Sequence, residues 1–238
     1  MNFETIMQKS GAYVVSQHST RSRPPAIAYP SLLKPIITIS HQTGAGAPQI
    51  TTLLAKSLQG IDLIRNETWK IYDQQLIERA LQEQRWPGKL AETILEEKRF
   101  FINELVDDLF SLRPPSWVLI PQVVETTLRV AREGHAILIG HGVTVITSRL
   151  PNVFHVRLTG SLAKRTERMQ TLGGLTPADA ARFVQKEDRN RKQYVKSYFH
   201  ARLDNELLYD LAVNTDRLSN ADAAEMIAEG ARRFFSAA

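Results

Sequence analysis

The chain is predicted to fold as an α/β domain whose parallel sheet is covered on both faces by helices. Short apolar runs rich in Ile, Val and Leu recur at about 36–40, 135–139, 153–158 and 208–213. Each is too short for a helix and lacks the alternation of a half-exposed strand, as expected for strands buried on both faces. Helical periodicity fills the gaps, at about 47–58, 161–171, 177–200 and 220–235. Strands that alternate with helices close into a parallel sheet with two covering layers.

The first strand, Ile36-Ile37-Thr38-Ile39-Ser40, runs into the turn HQTGAGAPQ. A helix follows from about Ala47, with Ile50, Leu53, Leu54 and Leu58 on one face. Residues 73–133 read as helical segments divided by Pro87-Gly88, Pro114-Pro115 and Pro121, and are predicted to form an insert on the core. The second strand ends at Gly140-His141-Gly142. Thr176-Pro177 is the strongest helix start, an N-cap followed by a proline preset for the first turn. Residues 1–35 differ from the rest. HSTRSRPPAIAYPSLLKP carries four prolines and fits neither a helix nor a central strand. It reads as an extended arm, able to pack on the body or on another subunit as a homo-oligomer contact.

Composition narrows the function. The chain has 238 residues and no cysteine, which removes disulfides and thiolate metal sites. No run approaches the roughly 18 apolar residues that cross a bilayer, and no basic, then apolar leader opens the sequence, so a cytoplasmic location is expected. Thirty Lys and Arg against twenty-five Asp and Glu leave a formal charge of +5. That balance suits an anionic ligand, and equally suits plain solubility.

Five groups of residues are candidates for chemistry. In Thr43-Gly44-Ala45-Gly46-Ala47-Pro48-Gln49, small residues let backbone N–H groups approach a phosphate at a helix start. The bland alternative is a tight turn that binds nothing. The loop lacks the lysine and the Ser/Thr of the G-x-x-x-x-G-K-[ST] pattern. Arg165 and Arg168, with Lys164, follow a strand end and share a helix face, or else pair with Glu167 in solvent. The stretch 186–196, KEDRNRKQYVK, has five basic residues, with Asp188 three before Arg191 and Arg189 three before Lys192. It reads as a lid-like basic helix over a polyphosphate, within a segment of about 176–204, or as a solvated face. A nucleic-acid patch using Tyr194, Tyr198 and Phe199 is a lesser reading, since aromatics at this spacing are more often core. Asp73 and His141 each follow an apolar stretch, where sheet-edge loops line pockets. Asp73 as a helix cap and His141 as a turn residue are the alternatives. No trusted metal-ligand spacing occurs among the six histidines.

In this order the segments resemble the cytidylate kinase-like family. ITISHQTGAGAPQITTLLAKSL is similar to its strand, phosphate loop and first helix, and IYDQQLIERAL to its acceptor-side aspartate segment. AILIGHGVTVITSRLPNVFHVRLTGSLAKRTERM is similar to its strand ends and arginine helix, QKEDRNRKQYVKSYF to its lid, and YDLAVNTDRLSNADAAEMI to its closing strand and helix. The resemblance covers about residues 36–235. It implies a three-layer P-loop NTPase fold and transfer of a γ-phosphoryl group from ATP, with Mg2+, to a small acceptor such as a nucleoside monophosphate. It implies that residues 44–49 cradle the donor phosphates with Arg165 nearby. Arg168, Arg189 and Arg191 would neutralise the transferring group, with Asp188 completing the D-x-x-R pair, and Asp73 and His141 would face the acceptor. Three positions depart from the pattern: Ala47-Pro48 where glycine-lysine or glycine-arginine is usual, Gln49 for the magnesium-side hydroxyl, and His141 for the strand-end arginine. A catalytically silent nucleotide-binding protein is therefore the second expectation.

Overall fold

The computed structural model describes residues 34–59, 68–73, 120–140 and 142–236. The elements in chain order are β1 (Ile36–His41), α1 (Ala47–Leu58), β2 (Lys70–Asp73), α2 (Ile120–Glu133), β3 (Ala136–Ile139), α3 (Val143–Ile146), β4 (Val153–Thr159), α4 (Leu162–Gly173), α5 (Pro177–Phe199), a 3-10 turn (Glu206–Leu208), β5 (Leu211–Asn214) and α6 (Asn220–Ser236). The five strands form one parallel sheet in the order β2-β3-β1-β4-β5. The expected α/β architecture is thus present, with β1 at the centre.

The sheet has two apolar faces because successive side chains alternate. Ile37 and Ile39 of β1, Ile137 and Ile139 of β3, and Phe154, Val156 and Leu158 of β4 pack beneath α1 and α6. Ile36, Leu138 and Val153 point the other way, toward Val123, Val130 and Ala131 of α2 and Val143 of α3. Burial on both sides explains why β1 is apolar nearly throughout.

On the second face the core is not wholly apolar. Thr38 Oγ1 lies 2.8 Å from His155 Nδ1 and 3.4 Å from Thr144 Oγ1. One step nearer the strand ends, Arg157 Nη1 donates to Ser40 Oγ at 2.6 Å. The β1–β4 register pairs Thr38 with His155 and Ser40 with Arg157, so this polar column follows directly from the strand alignment.

Several expectations are corrected. Residues 70–73 form a strand at the sheet edge, with Asp73 its last residue, an element the sequence reading did not assign. Ile120–Glu133 packs on the sheet as a covering helix, driven by Val123, Val130 and Ala131 on its inner face. Residues 1–33 and 74–119, which hold most of the arm and of the expected insert, lie outside the described residues. The second strand starts at Ala136, because Gly134 and His135 adopt left-handed backbone angles in the turn before it. The last strand starts at Leu211, not near Leu208. Asn205 caps a 3-10 turn there by accepting from the Leu207 N–H at 3.2 Å.

Helix α5 begins as expected, with Thr176 Oγ1 accepting from the Asp179 N–H at 3.2 Å. Its C-terminal half is core. Val195 and Phe199 pack on Val145 and Ile146 of α3, with Tyr194 and Tyr198 half-buried beside them. A Cβ on Gly142, whose φ is 92°, would stand 2.5 Å from the Phe199 ring, so the two elements meet at the contact limit. The aromatics of the 186–196 region and its flank are therefore spent on packing, which removes the stacking groups that a nucleic-acid reading needs.

Candidate phosphate-binding cleft

The loop after β1 takes its shape from two glycines and a set of arginines. Gly44 and Gly46 have φ of 78° and 83°, angles that side chains with a Cβ rarely adopt. A Cβ on Gly44 would lie 2.5 Å from the Arg165 carbonyl oxygen, so α4 approaches the loop backbone directly. Gly46 precedes α1 without a side-chain cap, and Pro48 falls in the first turn, where its missing N–H costs no helix bond. The first N–H groups of α1 are thus left for a ligand or solvent.

Three guanidinium groups hold the loop carbonyls. Arg165, only 6% exposed, donates from Nε to Gly160 O at 2.9 Å and from Nη1 to Thr43 O at 2.9 Å. Arg168 Nη1 donates to Gly44 O at 3.3 Å and to Thr215 Oγ1 at 2.9 Å, while its Nη2 bonds the Thr215 carbonyl. Arg191 Nη1 donates to His41 O at 3.1 Å and to Thr43 Oγ1 at 3.0 Å. With its carbonyls tied outward, the loop can turn amides toward an anion. Asp188 joins the set. It accepts from Arg165 Nη1 at 2.7 Å and from the Thr43 N–H at 2.9 Å, and lies 3.6 Å from Arg191 Nη1.

Beside this loop opens a cleft of about 490 Å³. One wall is the loop from Thr43 to Gln49, with His41 and Asn220. The other comes from α4 and α5: Lys164, Arg168 and Arg191 supply positive charge, Glu167 and Glu187 negative charge, and Met169, Leu172 and Phe183 an apolar shelf able to take a planar ring. Arg168 and Arg191 reach the cleft together. Arg165 and Asp188 stand behind the loop as its braces. Arg189 is exposed and does not line the cleft. Asp73 ends β2, the strand two places from β1 in the sheet, and lies outside the cleft. His141 is outside the described residues.

The electrostatics bear on the missing lysine. Burial first, then the positive charges of Arg191 and Arg157, push His41 down to about 3, so its ring is neutral near pH 7 and cannot replace that cation. Burial lowers Arg191 to about 10 against the opposing pull of Asp188, and it stays charged. Pro48, at the lysine position, lines the cleft without a charge, and Ala47 before it is 1% exposed and belongs to the core beneath α1.

The loop fits a phosphate chain: two left-handed glycines, an uncapped helix start and two cationic side chains. The fit to magnesium is poor. Gln49 stands at the hydroxyl position, and the Thr51 hydroxyl is bonded to the Ala47 carbonyl. Among the described residues no three His, Cys, Asp or Glu side chains cluster as a metal site. Glu167 is paired with Lys164 at 2.9 Å, and Asp216 accepts from the Ser161 N–H at 2.8 Å.

The model of the cytidylate kinase-like family matches residues 36–217. The chain belongs to the cytidylate kinase-like family. The match takes in every described strand of the sheet, the loop and both arginine-bearing helices, as the motif order indicated. No curated protein matches. Among solved structures, the chain is similar to an uncharacterized protein from Eubacterium ventriosum ATCC 27560, with a TM-score of 0.60 and 18% identity over 82% of this chain and 97% of that one. At that identity the likeness is one of fold alone. A shikimate kinase from Bacteroides thetaiotaomicron gives 0.45 and 12% identity over 82% and 96% of the two chains. A shikimate kinase from Acinetobacter baumannii, in complex with shikimate, gives 0.33 and 14% over 82% and 90%. These two lower scores carry no argument about this family member.

Sequence reasoning missed Arg157, Thr215, Asp216 and Asn220. Arg157 carried a signal, a lone arginine inside an otherwise apolar strand. The other three lie on the β5–α6 connection and its helix start, which only the sheet order brings beside the loop.

Proposed function

We propose that the protein is an ATP-dependent phosphotransferase that moves the γ-phosphoryl group to a small phosphate-bearing acceptor, a nucleoside monophosphate being the foremost candidate. Membership of the cytidylate kinase-like family supports the kinase-type reading. The observation that carries it here is the convergence of Arg168 and Arg191, from two different helices, on the glycine loop at the mouth of a single cleft. Phosphoryl transfer asks a protein chiefly for positioning and charge stabilisation, which such a cradle supplies. The loop would hold the donor phosphates, the apolar shelf its base, and Arg168 and Arg191 the charge that builds on the transferring group. An acceptor phosphate oxygen is already anionic and needs no general base. That suits a cleft whose lining aspartate, Asp216, accepts the Ser161 N–H, while Asp188 behind the loop is engaged with Thr43 and Arg165. Magnesium would travel with the donor's phosphates, and no role of a protein residue is assigned to it. A cytoplasmic setting fits this chemistry; among the described residues no helix is long and apolar enough to cross a membrane.

The test combines melting temperature and ADP release with ATP, magnesium and a panel of monophosphates. Binding to the folded state raises the melting temperature even where turnover fails. Turnover with one acceptor, lost in Arg191→Ala, supports transfer. A second reading, nucleotide binding without catalysis, is favoured by Pro48 in the lysine position and by the commitment of the Arg168 fork to Thr215 and Gly44. It predicts a raised melting temperature with no ADP formed. No effect of any nucleotide on melting would remove both readings.

A further inference from the structure

One buried cation plays no part in the cleft described above. Arg157 of β4 is 8% exposed. Its Nη1 donates to Ser40 Oγ at 2.6 Å, and its Cζ lies 5.6 Å from the centre of the Tyr209 ring. Tyr209 is itself fixed, its hydroxyl donating to the Leu203 carbonyl at 2.9 Å and lying 3.4 Å from Ser40 Oγ. Both partners of Arg157 are neutral. Arg165 and Arg191, the other buried arginines at this end of the sheet, share the carboxylate of Asp188. Arg157 has none.

A guanidinium taken out of water without a counter-ion is costly, and buried charges are ordinarily paired. At 8% exposure Arg157 is nearly, but not wholly, closed off from solvent. Its place is specific. Arg157 stands opposite Ser40, the residue before His41, and reaches the loop from the sheet face that carries α2 and α3, opposite α1. Its charge is felt at both His41 and Arg191. Arg157 holds the Ser40 hydroxyl and Arg191 the carbonyl of the next residue, His41, at 3.1 Å, so two guanidinium groups approach adjacent residues at the end of β1, from β4 and from α5. Forked donors of this kind match an oxyanion with several oxygens.

We propose that Arg157, held by Ser40 and Tyr209, forms with Arg191 at the edge of the cleft a second anion subsite, apart from the glycine loop, that takes the phosphate of a phosphomonoester acceptor. The acceptor role rests on the donor reading of the loop; the anion subsite does not. The subsite supplies a cation on the acceptor side, where His141 replaces the arginine of the family pattern, and draws the acceptor phosphate toward the loop.

The test is calorimetric titration of the full chain with ADP, and with inorganic phosphate in the absence and presence of saturating ADP, for wild type, Arg157→Met and Arg157→Lys. Acetate serves as the control anion. Phosphate, and not acetate, should bind wild type. Arg157→Met should weaken phosphate binding by roughly ten-fold or more and leave ADP binding within about two-fold, since only the acceptor-side charge is lost. Its melting temperature without ligand should equal or exceed that of wild type, because the charge removed was unpaired. Arg157→Lys should fall between, keeping the charge and losing the fork. Phosphate affinity unchanged in Arg157→Met, or acetate bound as well as phosphate, would overturn the proposal. If Arg157→Met fails to fold, Arg157→Lys decides in its place, and unaltered phosphate affinity there is equally fatal. Failure of wild type to bind ADP would remove the donor reading alone, because the phosphate comparison without ADP still reports on Arg157.

Discussion

Asp188 Oδ1 accepts the backbone N–H of Thr43 at 2.9 Å, across 145 residues of chain. The same carboxylate takes Arg165 Nη1 at 2.7 Å. One side chain of α5 therefore fixes both the loop backbone and the arginine behind it. Of the two partners, the arginine contact outweighs the amide contact in energy, because Arg165 is almost wholly buried and Asp188 is its carboxylate.

Removing that carboxylate should be costly. Asp188→Ala leaves a buried guanidinium unpaired and is expected to lower stability by about 3 kcal/mol. Asp188→Asn keeps an acceptor for the Thr43 N–H and should lose less. Urea midpoints at constant slope measure both. Equal losses for the two variants would show that charge pairing is not what Asp188 contributes.

Gly44 is the loop position least able to change. Gly44→Ala combines a φ of 78° with a Cβ 2.5 Å from the Arg165 carbonyl oxygen. Because backbone rather than a flexible side-chain tip opposes the new atom, the loop must move. A loss of about 2 kcal/mol is expected, with nucleotide binding abolished. Gly174→Ala, where φ is 60° and nothing stands within 4 Å, should cost only the strain of its left-handed angle, about 1 kcal/mol, and spare binding. Thermal unfolding with and without ADP separates the two.

Restoring the absent cation gives a gain-of-function prediction. Pro48→Lys places an ammonium in the first turn of α1, at the position where the family pattern carries its cation and a polyphosphate would be cradled. Affinity for ATP should rise by roughly ten-fold, equivalent to about 1.4 kcal/mol. Titration calorimetry checks it. A lysine there that leaves ATP binding unaltered would argue that the loop does not hold the phosphate chain.

Acid should destabilise the fold through His155. Burial lowers this histidine from its usual value near 6.5 to about 4, so it is neutral in the core beside Thr38. Between these values the unfolded chain binds the extra proton and the folded one does not. Stability is therefore complete above about pH 6.5 and falls as pH drops toward 4, by about 3 kcal/mol from this group. His155→Gln should flatten the slope in that window. An identical slope in the variant would assign the acid sensitivity elsewhere.

By itself the sequence determined the layers and the loop. Ile36–Ser40 is a short, β-branched and mostly apolar run without strict alternation, as a strand covered on both faces should be, and Gly44 and Gly46 mark a turn that needs left-handed angles. Thr176-Pro177 placed the start of α5 correctly, since capping is a local matter. Short or amphipathic pieces were not legible: Lys70–Asp73 pairs with β3 because the sheet edge is there to receive it, not because four residues announce a strand. The tertiary structure alone decided which charges meet. Arg165, Arg168 and Arg191 looked alike on their helices, yet packing made Arg165 a buried brace, left Arg189 in solvent, and set Arg157 against Ser40 without a carboxylate. The reason is physical: helix and strand periodicity follow from neighbours along the chain, whereas the pairing of a buried charge depends on partners brought from more than 100 residues away.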